Sequence, residues 1–539
     1  MVDETRTGPL GGAQEHEWDQ LCRGTGTAIT VRIDPGPGVK PEEAAAALLD
    51  VVRRHEALRT TFGVDPDGRP FQRVHPEPTA DVAFFEHSGG DAEPLPEAFL
   101  HGPFAPDSPS LVRPAVVVRD GEAAELALSV CHAVFDGRSA QIVRADLIHA
   151  LRAARHPGGD PRPPAPQFLD AALAEQEGPL ARARRNARAF WEQEVRRMRN
   201  RVFVPDPPGL FRRHGSEYLS DAAPALLVSA ARRHGVNPAH VYTAAVVLLT
   251  AHLSGSRTVT VRSHFAGRGD DELDVVGCFH TILPITVDVA DRPGLGELVA
   301  RVQAESFRVF RRYRIGHFDR QELLRRTGEE RGTAFADGII VNFTYRTPVE
   351  ELQRMGEDEL ARGLTEGREL RLLMGEDENV PDTRGFVAYL DVDLARDEML
   401  VYGTFNGAAL TTPQMRVLLT GPETLLRLHL AAPEGLGWEP VASLFGALAV
   451  PAALSPDVAE RGADRFSIAA TAEAVRDHPD VADAAVRVEG DGLDARVVAR
   501  VTTRTPGPTA QDLRAHVLAR LTPGDAVVCP DRFEFAGPA

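Results

Sequence analysis

The sequence is almost without lysine, poor in cysteine and without any long apolar run. Lys40 is the only lysine, and the 539 residues include only 4 cysteines. These cysteines show neither C-x-x-C spacing nor a dense disulfide pattern, so the sequence predicts no metal site and a reduced, cytoplasmic setting. The longest mainly apolar run, residues 241–253, is shorter than the roughly 20 residues that cross a bilayer, so no membrane partner is predicted.

The charge and the first residues exclude two further classes. The net charge is −18, whereas a nucleic-acid-binding protein needs a broad basic surface, so no nucleic-acid partner is expected. Residues 1–6 include acidic side chains and no apolar core, so they do not predict a signal peptide. The chain exceeds the roughly 250–300 residues of a single core, so more than one domain is expected.

Strand-like and helix-like segments alternate from the start, which predicts an α/β fold. Residues 41–55 predict a helix rich in alanine and leucine, and another helix is predicted after Gly137 with Ser139 as its N-cap residue. The predicted strands of this part lie at residues 28–33, 115–118 and 125–130.

Two breaks divide the predicted elements. Residues 156–159 stop the helix after Gly137, residues 161–166 predict a proline-rich linker, and a second break falls at residues 433–435. The predicted domains are residues 1–165, 166–432 and 433–539.

Beyond the first break the pattern of the first part is echoed. A buried helix is predicted over residues 238–253, with Asn237 as its N-cap residue, and a strand over residues 258–264. The tail predicts a small α+β unit in which Thr509 and Asp512 form a capping box. The tail's predicted helices lie at residues 469–476 and 510–520, and its strands at residues 484–488 and 496–501.

A histidine stands at the end of one predicted strand. Leu126, Leu128 and Val130 share one face of that strand, and His132 is the next residue on the same face. An imidazole in this position is a titratable base in a partly desolvated site. Such a base can take a proton from an attacking amine or hydroxyl, which typically contributes about 10²–10⁴-fold in rate.

The two residues that complete this motif leave two interpretations open. Asp136 follows four residues after His132, and Gly137 allows a tight turn and a close approach by substrate. The same pattern also fits a core histidine with satisfied hydrogen bonds and an aspartate that only forms a turn. Taken alone, the motif does not identify a catalytic site.

Ordered matches on both sides of this motif resemble the condensation domains of nonribosomal peptide synthetases. The family's signature H-H-x-x-x-D-G appears as C-H-A-V-F-D-G at residues 131–137, and its R-H-E-x-L-R-T-x-F is complete at residues 54–62. The resemblance covers residues 1 to about 430. Its other matches are G-G-A-Q-E-H-E-W at residues 11–18, A-G-R at 266–268, V-G-C-F-H-T-I-L-P at 276–284 for the family's V-G-x-F-V-N-T-L-P, and I-I-V-N-F at 339–343.

The resemblance implies two chloramphenicol-acetyltransferase-like lobes in a V around a tunnel, followed here by the small α+β unit. It implies an acyltransferase that joins an acyl group, held as a thioester on the phosphopantetheine arm of an acyl or peptidyl carrier protein, to a small-molecule or carrier-bound acceptor. No covalently bound cofactor is implied. His132 is expected to act as a base or to orient the nucleophile, while Asp136 is expected to pair with Arg268 and, with Gly137, to support the active-site loop.

The resemblance also implies the tunnel lining and shows where this chain departs from the family. Asn342, Thr281 and Ser139 are expected to line the tunnel, although Asn342 also fits an ordinary strand residue. Cys131 replaces the first histidine of the signature, and strand alternation turns it away from His132, which favours a packing and supporting role. Thr281 and Ile282 replace an asparagine and a threonine, which is expected to alter the acceptor or to mark lost activity.

An arginine-rich stretch at residues 181–201 surrounds Phe190 and Trp191. Such a run usually predicts a solvated helix face beside an aromatic anchor. The alternative is a docking patch for an acidic carrier protein, since opposite charge raises association rates.

From about residue 467 the tail resembles the C-terminal subdomain of adenylation domains, chiefly through H-P-D-V-A-D-A-A-V at residues 478–486. That subdomain carries a catalytic lysine, and no lysine follows Lys40. The resemblance therefore implies a truncated remnant that does not activate amino acids, either packed against the second lobe or serving as an interaction module. With no carrier-attachment motif in the sequence, a free-standing enzyme that meets its carriers in trans is expected.

Two other functions remain open from the sequence. One is a related acyltransferase that takes its donor from coenzyme A. The other is a non-catalytic domain that recruits carriers or tailoring enzymes, which the intact segment from His132 to Gly137 disfavours.

Overall fold

The computed structural model describes most of the chain and divides it into two compact units. The described residues are 5–87, 94–100, 102–155, 162–375, 379–382, 384–432, 434–448, 457–504 and 507–536. The first unit consists of Met1–Trp191, Phe265–Thr281 and Arg312–Gln321, and the second of Glu192–His264, Ile282–Arg311 and Glu322–Ala539.

This division differs from the predicted domain boundaries. The boundary predicted at residue 165 lies inside the first unit, and the tail predicted from residue 433 lies inside the second. Phe265–Thr281 and Arg312–Gln321 also belong to the first unit. Predicted domains that are each one continuous range of residues cannot include such segments. Residues 156–161 and Pro433, where breaks were predicted, lie outside the described residues.

The first unit contains two sheets and the helices that cover them. The strand orders are β1-β4-β3 and β2-β7-β6-β5. The strands are β1 (Arg6–Pro9), β2 (Ala28–Ile33), β3 (Thr60–Val64), β4 (Pro70–Val74), β5 (Ala83–Glu86), β6 (Val112–Arg119) and β7 (Glu122–Cys131). The helices are α1 (Gln14–Cys22), α2 (Pro41–Arg54), α3 (Glu97–Leu100), α4 (Gly137–Arg155), α5 (Phe168–Ala174) and α6 (Gly178–Arg197), the last of which continues into the second unit.

Strand β7 shows how the alternation of its residues builds the first unit. Leu126, Leu128 and Val130 belong to the main hydrophobic core of this unit. Ala127, on the opposite face, belongs to a separate cluster that includes Phe99. The predicted alternation is therefore confirmed. The strand ends at Cys131, so His132 is the first residue after it.

The second unit is built on an eight-stranded mixed sheet. Its order is β10-β9-β11-β14-β15-β8-β12, and β13 pairs with β8. The strands are β8 (Leu210–Ser220), β9 (Thr258–Phe265), β10 (Thr281–Asp288), β11 (Gly338–Tyr345), β12 (Glu369–Met374), β13 (Asn379–Pro381), β14 (Phe386–Leu394) and β15 (Met399–Asn406). The helices are α7 (Ala223–His234), α8 (Pro238–Ser254), α9 (Leu295–Phe310), α10 (His317–Arg331), α11 (Val349–Leu352), α12 (Glu357–Glu366), α13 (Thr412–Ala431) and α14 (Trp438–Phe445). Helix α10 begins in the first unit, which includes its residues up to Gln321.

Helix α8 is the long buried helix that the sequence predicts. Asn237 caps it, because its side-chain oxygen accepts a hydrogen bond from Ala239 N at 2.9 Å, and Pro238 occupies the first turn. Nearly every residue of α8 is buried, which explains its uniformly apolar sequence. Within the described residues, no helix has both the length and the apolar character that a membrane crossing requires.

The tail has its own small core but is embedded in the second unit. Its elements are β16 (Val458–Arg461), β17 (Asp464–Ser467), α15 (Ile468–Arg476), β18 (Val481–Glu489), β19 (Arg496–Thr503), α16 (Ala510–Leu518) and β20 (Arg532–Ala536). The predicted capping box is present, since Thr509 N and Asp512 N each donate to the other residue's side chain. The buried Arg465 guanidinium donates to the carbonyl oxygens of Val202 and Ser254, and its backbone pairs with Asn200. Hydrogen bonds of this kind fix the tail to the rest of the unit.

Candidate active site

His132 lies where β7 ends and the chain turns. Its backbone N donates to Thr27 O at 2.9 Å, and a short 3-10 turn over His132–Val134 follows. The ring is half-buried, and its Nδ1 is buried with no hydrogen-bond partner among the described residues. The turn therefore holds an imidazole in place while leaving one ring nitrogen uncommitted.

A buried ion pair fixes the loop that follows. Arg268 donates to both carboxylate oxygens of Asp136 at 2.7 Å, and the two side chains are 2% and 5% exposed. The same guanidinium donates to Glu272 O at 2.7 Å and to Val275 O at 2.6 Å. This is the ion pair that the family resemblance implied, and it connects the His132 loop to a segment more than 130 residues away in sequence.

Ser139 belongs to this support network, which corrects two predictions about it. Helix α4 begins at Gly137, and Asp136 Oδ1 accepts from Ser139 N at 2.8 Å, so Asp136 and not Ser139 is the capping side chain. Ser139 Oγ lies 2.8 Å from both Asp136 Oδ1 and Gly277 O, and it accepts from Gly277 N at 2.9 Å. Because Ser139 is fully buried, it offers no surface to a substrate and cannot line a tunnel.

Two glycines allow the close approach of these segments. Gly267 has φ +61°, and a Cβ there would lie 1.9 Å from Phe279 O. A Cβ on Gly277 would lie 2.0 Å from the Phe168 ring. Gly137 begins helix α4 with a φ that is not positive, and a Cβ there would meet nothing within 4 Å, so the space beside it is open.

A second histidine packs against His132. The ring of His280 lies 4.3 Å from that of His132, centroid to centroid, at an angle of 47°. On its other side His280 Nε2 lies 3.2 Å from Glu17 Oε1, and Glu17 is a buried residue of α1. The three side chains come from α1, the end of β7 and the segment before β10, so they meet only in the folded chain.

The Glu17 carboxylate gives His132 and His280 different pKa values. Burial lowers the pKa of His132, and the neighbouring His280 lowers it further. Burial also opposes the charged form of His280, but the hydrogen bond to Glu17 and the negative charges of Glu17 and Asp136 together outweigh it and raise the pKa of His280 above its ordinary value. Burial opposes ionisation of Glu17 as well, yet the hydrogen bond from His280 and the nearby imidazoles hold its pKa well below the ordinary value. Of the two imidazoles, His280 is therefore the one that gains a proton more readily.

Two further histidines extend the group within the first unit. His16 Nδ1 lies 3.3 Å from His317 Nδ1, and His317 Nε2 lies 3.5 Å from Asp19 Oδ2. The His16 ring lies 6.3 Å from that of His280. Burial places the pKa of His16 well below its ordinary value, so His16 adds little positive charge beside His280.

A cysteine also joins the two central histidines. Cys278 Sγ lies 3.5 Å from His280 Nδ1, and one nitrogen or sulfur atom from each of His132, Cys278 and His280 lies within 4.8 Å of the other two. Because the cysteines show no paired spacing, the sequence predicts no metal site. The fold nevertheless brings together a set of side chains that can ligate a metal ion.

The structure assigns different surroundings to the other predicted site residues. Cys131 is buried in the main core, and burial raises the pKa of its thiol to about 12, which agrees with a packing role. Thr281 is buried and, with Cys278, lines a cavity of about 20 Å³ in the first unit, enough for about one water molecule. Asn342 lies on β11 in the second unit and donates from Nδ2 to Asp391 Oδ1 at 3.0 Å, so part of its hydrogen-bonding capacity is used within the sheet.

The arginine-rich stretch forms α6, and its charges are largely committed within the chain. Trp191 anchors the helix and is 1% exposed. Arg201 is buried, and Arg182 and Arg185 are exposed. This arrangement favours a structural role over a docking patch. The arginines of this stretch that form ion pairs are Arg184, Arg188, Arg196, Arg197 and Arg199.

Sequence reasoning missed the residues that surround His132. His280 stands where the family pattern has valine, and that substitution was the available signal. Glu17 lies inside the matched opening motif, but nothing in that motif indicates a partner 263 residues away. Cys278 occupies a position that the family pattern leaves undefined, so only the fold reveals its neighbours.

The family comparison covers most of both units before the tail. The family model of the condensation domain matches residues 29–366. Phosphinothricin tripeptide synthetase PhsB of Streptomyces viridochromogenes is 29% identical over 390 residues, which are 67% of this chain and 32% of that protein. Isonitrile lipopeptide synthase of Mycobacterium tuberculosis is 30% identical over 333 residues, which are 56% of this chain and 13% of that protein. The chain thus spans about a third or less of the length of these two relatives.

Solved structures share the fold at lower sequence identity. The X-domain from teicoplanin biosynthesis aligns with a TM-score of 0.60 and 19% identity, covering 81% of this chain and 98% of that domain. The first condensation domain of the calcium-dependent antibiotic synthetase, in complex with a substrate analogue, aligns with a TM-score of 0.58 and 21% identity, covering 81% of this chain and 99% of that domain. The predicted α/β fold class is confirmed by these neighbours.

Proposed function

Since the chain belongs to the condensation-domain family, we propose that it joins an acyl group from a carrier-protein thioester to an amine or hydroxyl acceptor, with His132 as the catalytic residue. The observation that supports this most directly is the state of His132. It is a half-buried imidazole whose pKa is lowered by burial, it has one ring nitrogen without a hydrogen-bond partner among the described residues, and it lies on a loop fixed by a buried ion pair. A general base needs these properties, since it must accept a proton and must stay in place while doing so.

The chemistry assigned to His132 is a proton transfer during acyl transfer. As the acceptor nitrogen or oxygen forms its bond to the thioester carbonyl carbon, its proton passes to the imidazole. The carbon–sulfur bond then breaks, and the departing thiolate takes the proton from the imidazole. The thiol that carries the acyl group is that of a phosphopantetheine arm. The carrier protein would supply this arm, so the arm is part of the substrate.

Asp136 and Arg268 act through the loop and do not touch the reacting atoms. Their ion pair and the Ser139 hydroxyl hold the start of α4 against the segment from Arg268 to Gly277. Both are positioning residues, and Cys131 and Gly137 support the same loop. Thr281 and Asn342 remain proposed tunnel residues, to be tested by their effect on acceptor choice.

The decisive experiment compares carrier-bound and free donors. Carrier proteins loaded with a set of aminoacyl and fatty-acyl groups, and the matching coenzyme A thioesters, are incubated with amine and alcohol acceptors, and products are measured by mass spectrometry. Product from loaded carriers is expected, with a loss of about 10²–10⁴-fold in His132→Ala. The control is His149→Ala, which removes an exposed histidine from α4 in the same unit. Equal turnover in the two variants would contradict the role of His132, and product from coenzyme A thioesters alone would contradict the carrier requirement.

A second candidate function is the recruitment of a partner without catalysis. Cys131 in place of the first signature histidine favours it, and the fold is also that of an X-domain that has been solved in complex with OxyB. This function predicts that loaded carriers bind equally to the wild type and to His132→Ala, with no product from either. Surface plasmon resonance with immobilised carriers measures the first outcome, and mass spectrometry measures the second.

We also infer that the tail is structural. Arg465 and Asn200 bind it to the rest of the second unit. Cytoplasmic localisation and meeting of carriers in trans remain part of the same proposal.

A further inference from the structure

The three ligating side chains beside the proposed catalytic histidine have a spacing suited to a metal ion. In four-coordinate zinc sites the bonds are about 2.0–2.1 Å to nitrogen and 2.3 Å to sulfur, so neighbouring ligand atoms lie about 3.5 Å apart. Cys278 Sγ and His280 Nδ1 are 3.5 Å apart, and an atom of His132 lies within 4.8 Å of both. Two of the three ligand atoms are therefore already at the separation found in such a site, and the third lies within 4.8 Å of both.

The partner of His280 sets the correct nitrogen toward this group. Glu17 Oε1 lies 3.2 Å from His280 Nε2 and accepts a hydrogen bond from it, and His280 Nδ1 is the nitrogen that lies beside Cys278. A carboxylate that binds the far nitrogen of a ligating histidine fixes the ring and increases the basicity of the nitrogen that faces the metal. Glu17 is 6% exposed, so it is itself held in place by the fold.

An independent observation concerns His132. Its Nδ1 is buried and has no hydrogen-bond partner within the described part of the chain. Buried polar atoms in native proteins are nearly always paired, so the fold leaves this imidazole with a nitrogen available to a ligand beside the other two side chains.

We propose that His132, Cys278 and His280 bind one thiophilic divalent cation of the Zn²⁺ class, backed by Glu17, and that the bound ion takes His132 out of catalysis. Two imidazoles and a thiolate select such an ion over Mg²⁺ or Ca²⁺, which require oxygen ligands. On binding, Cys278 loses its thiol proton and His280 loses any proton on Nδ1, while the hydrogen bond from Nε2 to Glu17 remains. The fourth position is left to water. The loss of catalysis rests on the proposed function, whereas the binding does not.

The test measures binding directly, without substrate. The whole chain, stripped of metal and carrying Cys22→Ser to remove its exposed thiol, is titrated with Zn²⁺ and separately with Mg²⁺ by isothermal calorimetry. One Zn²⁺ per chain and no Mg²⁺ is expected. Glu17→Gln is expected to weaken Zn²⁺ binding about 10–100-fold, and Cys278→Ser at least as much. Cys131→Ser, which changes a buried thiol next to His132 but outside the group, is the matched control and keeps the affinity.

Cobalt substitution supplies a spectroscopic readout of the sulfur ligand. Co²⁺ added to the metal-free chain is expected to give a thiolate-to-metal charge-transfer band that is absent from Cys278→Ser and present in Cys131→Ser. Absence of Zn²⁺ binding by the wild type overturns the proposal whether or not any variant folds, and so does a charge-transfer band that survives in folded Cys278→Ser.

Enzyme turnover is a separate arm. If product formation is observed, Zn²⁺ is expected to suppress it and a chelator to restore it. Zn²⁺ binding without any effect on turnover would overturn only the assignment of His132 as a ligand whose occupancy stops catalysis. If no substrate pair gives product, the calorimetric and spectroscopic results still decide whether the metal site exists.

Discussion

Two of the histidine pairs that pack ring against ring, one in each unit, differ in their surroundings. His132 and His280 lie beside Glu17, and one nitrogen of His132 has no partner among the described residues. His234 and His429 of the second unit have ring centroids 5.0 Å apart and Nε2 atoms 2.8 Å apart.

The second pair shows what a structural pair of histidines looks like. His429 Nδ1 accepts from Leu436 N at 3.0 Å, so both of its nitrogens are used within the fold. Burial, with smaller effects of His234 and Arg233, lowers the pKa of His429 to about 4, and burial also lowers the pKa of His234. In the first pair, by contrast, a carboxylate raises the pKa of His280 while burial lowers the pKa of His132. A neighbouring carboxylate and a nitrogen without a partner among the described residues therefore distinguish the first pair from the second.

The largest expected effect follows from removing the support of the first pair. Arg268→Met leaves Asp136 buried without its partner, which is expected to reduce the free energy of unfolding by about 3–5 kcal/mol. Urea denaturation measures the change. The control is Arg138→Met on α4, which removes an exposed ion pair with Asp274 at 3.5 Å and is expected to cost about 0–1 kcal/mol. Equal effects in the two variants would show that the loop does not depend on the buried pair.

The next effect comes from making the first pair resemble the second. Glu17→Gln removes the charge that His280 pairs with, and loss of a charge-assisted hydrogen bond is expected to cost about 1.5–3 kcal/mol of stability. Turnover is expected to fall as well. Without the carboxylate, His280 takes up a proton less readily, so a proton shared by the two rings shifts towards His132, which must be unprotonated to act as a base. Urea denaturation and mass-spectrometric turnover are measured on the same preparation. Full stability and turnover in Glu17→Gln would remove the distinction between the two pairs.

A smaller effect is expected in the pH dependence of the second pair. The pKa of His429 is about 4 in the folded chain and about 6.5 when unfolded, so the unfolded chain binds the proton first. Stability from this residue is therefore present above about pH 6.5 and is lost as the pH falls towards 4. After allowance for solvent screening the loss is on the order of 1–2 kcal/mol.

His429→Asn isolates this contribution, because the asparagine oxygen can still accept from Leu436 N. Its urea midpoint is expected to change less than that of the wild type between about pH 7 and 4.5. Parallel curves for the two proteins would mean that His429 is not the titrating group.

The smallest effect is expected from His234→Ala. It removes one neutral hydrogen bond, worth about 0.5–1 kcal/mol of stability, and is expected to leave turnover and zinc affinity unchanged. Calorimetry and thermal unfolding check both statements. A loss of zinc affinity in this variant would show that the second pair also binds metal.

Much of the fold could be predicted from local pattern. Strand β2 was predicted with its observed bounds, and α8, β9 and the capping box of α16 follow from caps and alternation that depend on nearby residues. The cap of α4 was assigned to Ser139 because Ser is a common N-cap residue, but Asp136 takes that position and Ser139 turns to Gly277. That outcome depends on a contact across 138 residues, which local pattern does not encode.

The candidate site divides in the same way. His132, Asp136 and Arg268 were predictable because the family resemblance marks them, and their pairing is observed. The resemblance does not mark Glu17, Cys278 or His280 as a group, since each lies in a different or unspecified motif position. Their meeting requires α1, the end of β7 and the segment before β10 to be packed together, which only the folded chain supplies.

The position of Cys22 has a practical consequence for observing this site. It is the last residue of α1, the helix that contains Glu17, and it is the one exposed thiol of the four cysteines. A maleimide dye would therefore attach at a single position, close to the cluster along the helix but on the surface. The fluorescence of the dye would report changes in the surroundings of α1 while carriers or metal ions are added. The label would not alter any side chain of the histidine group.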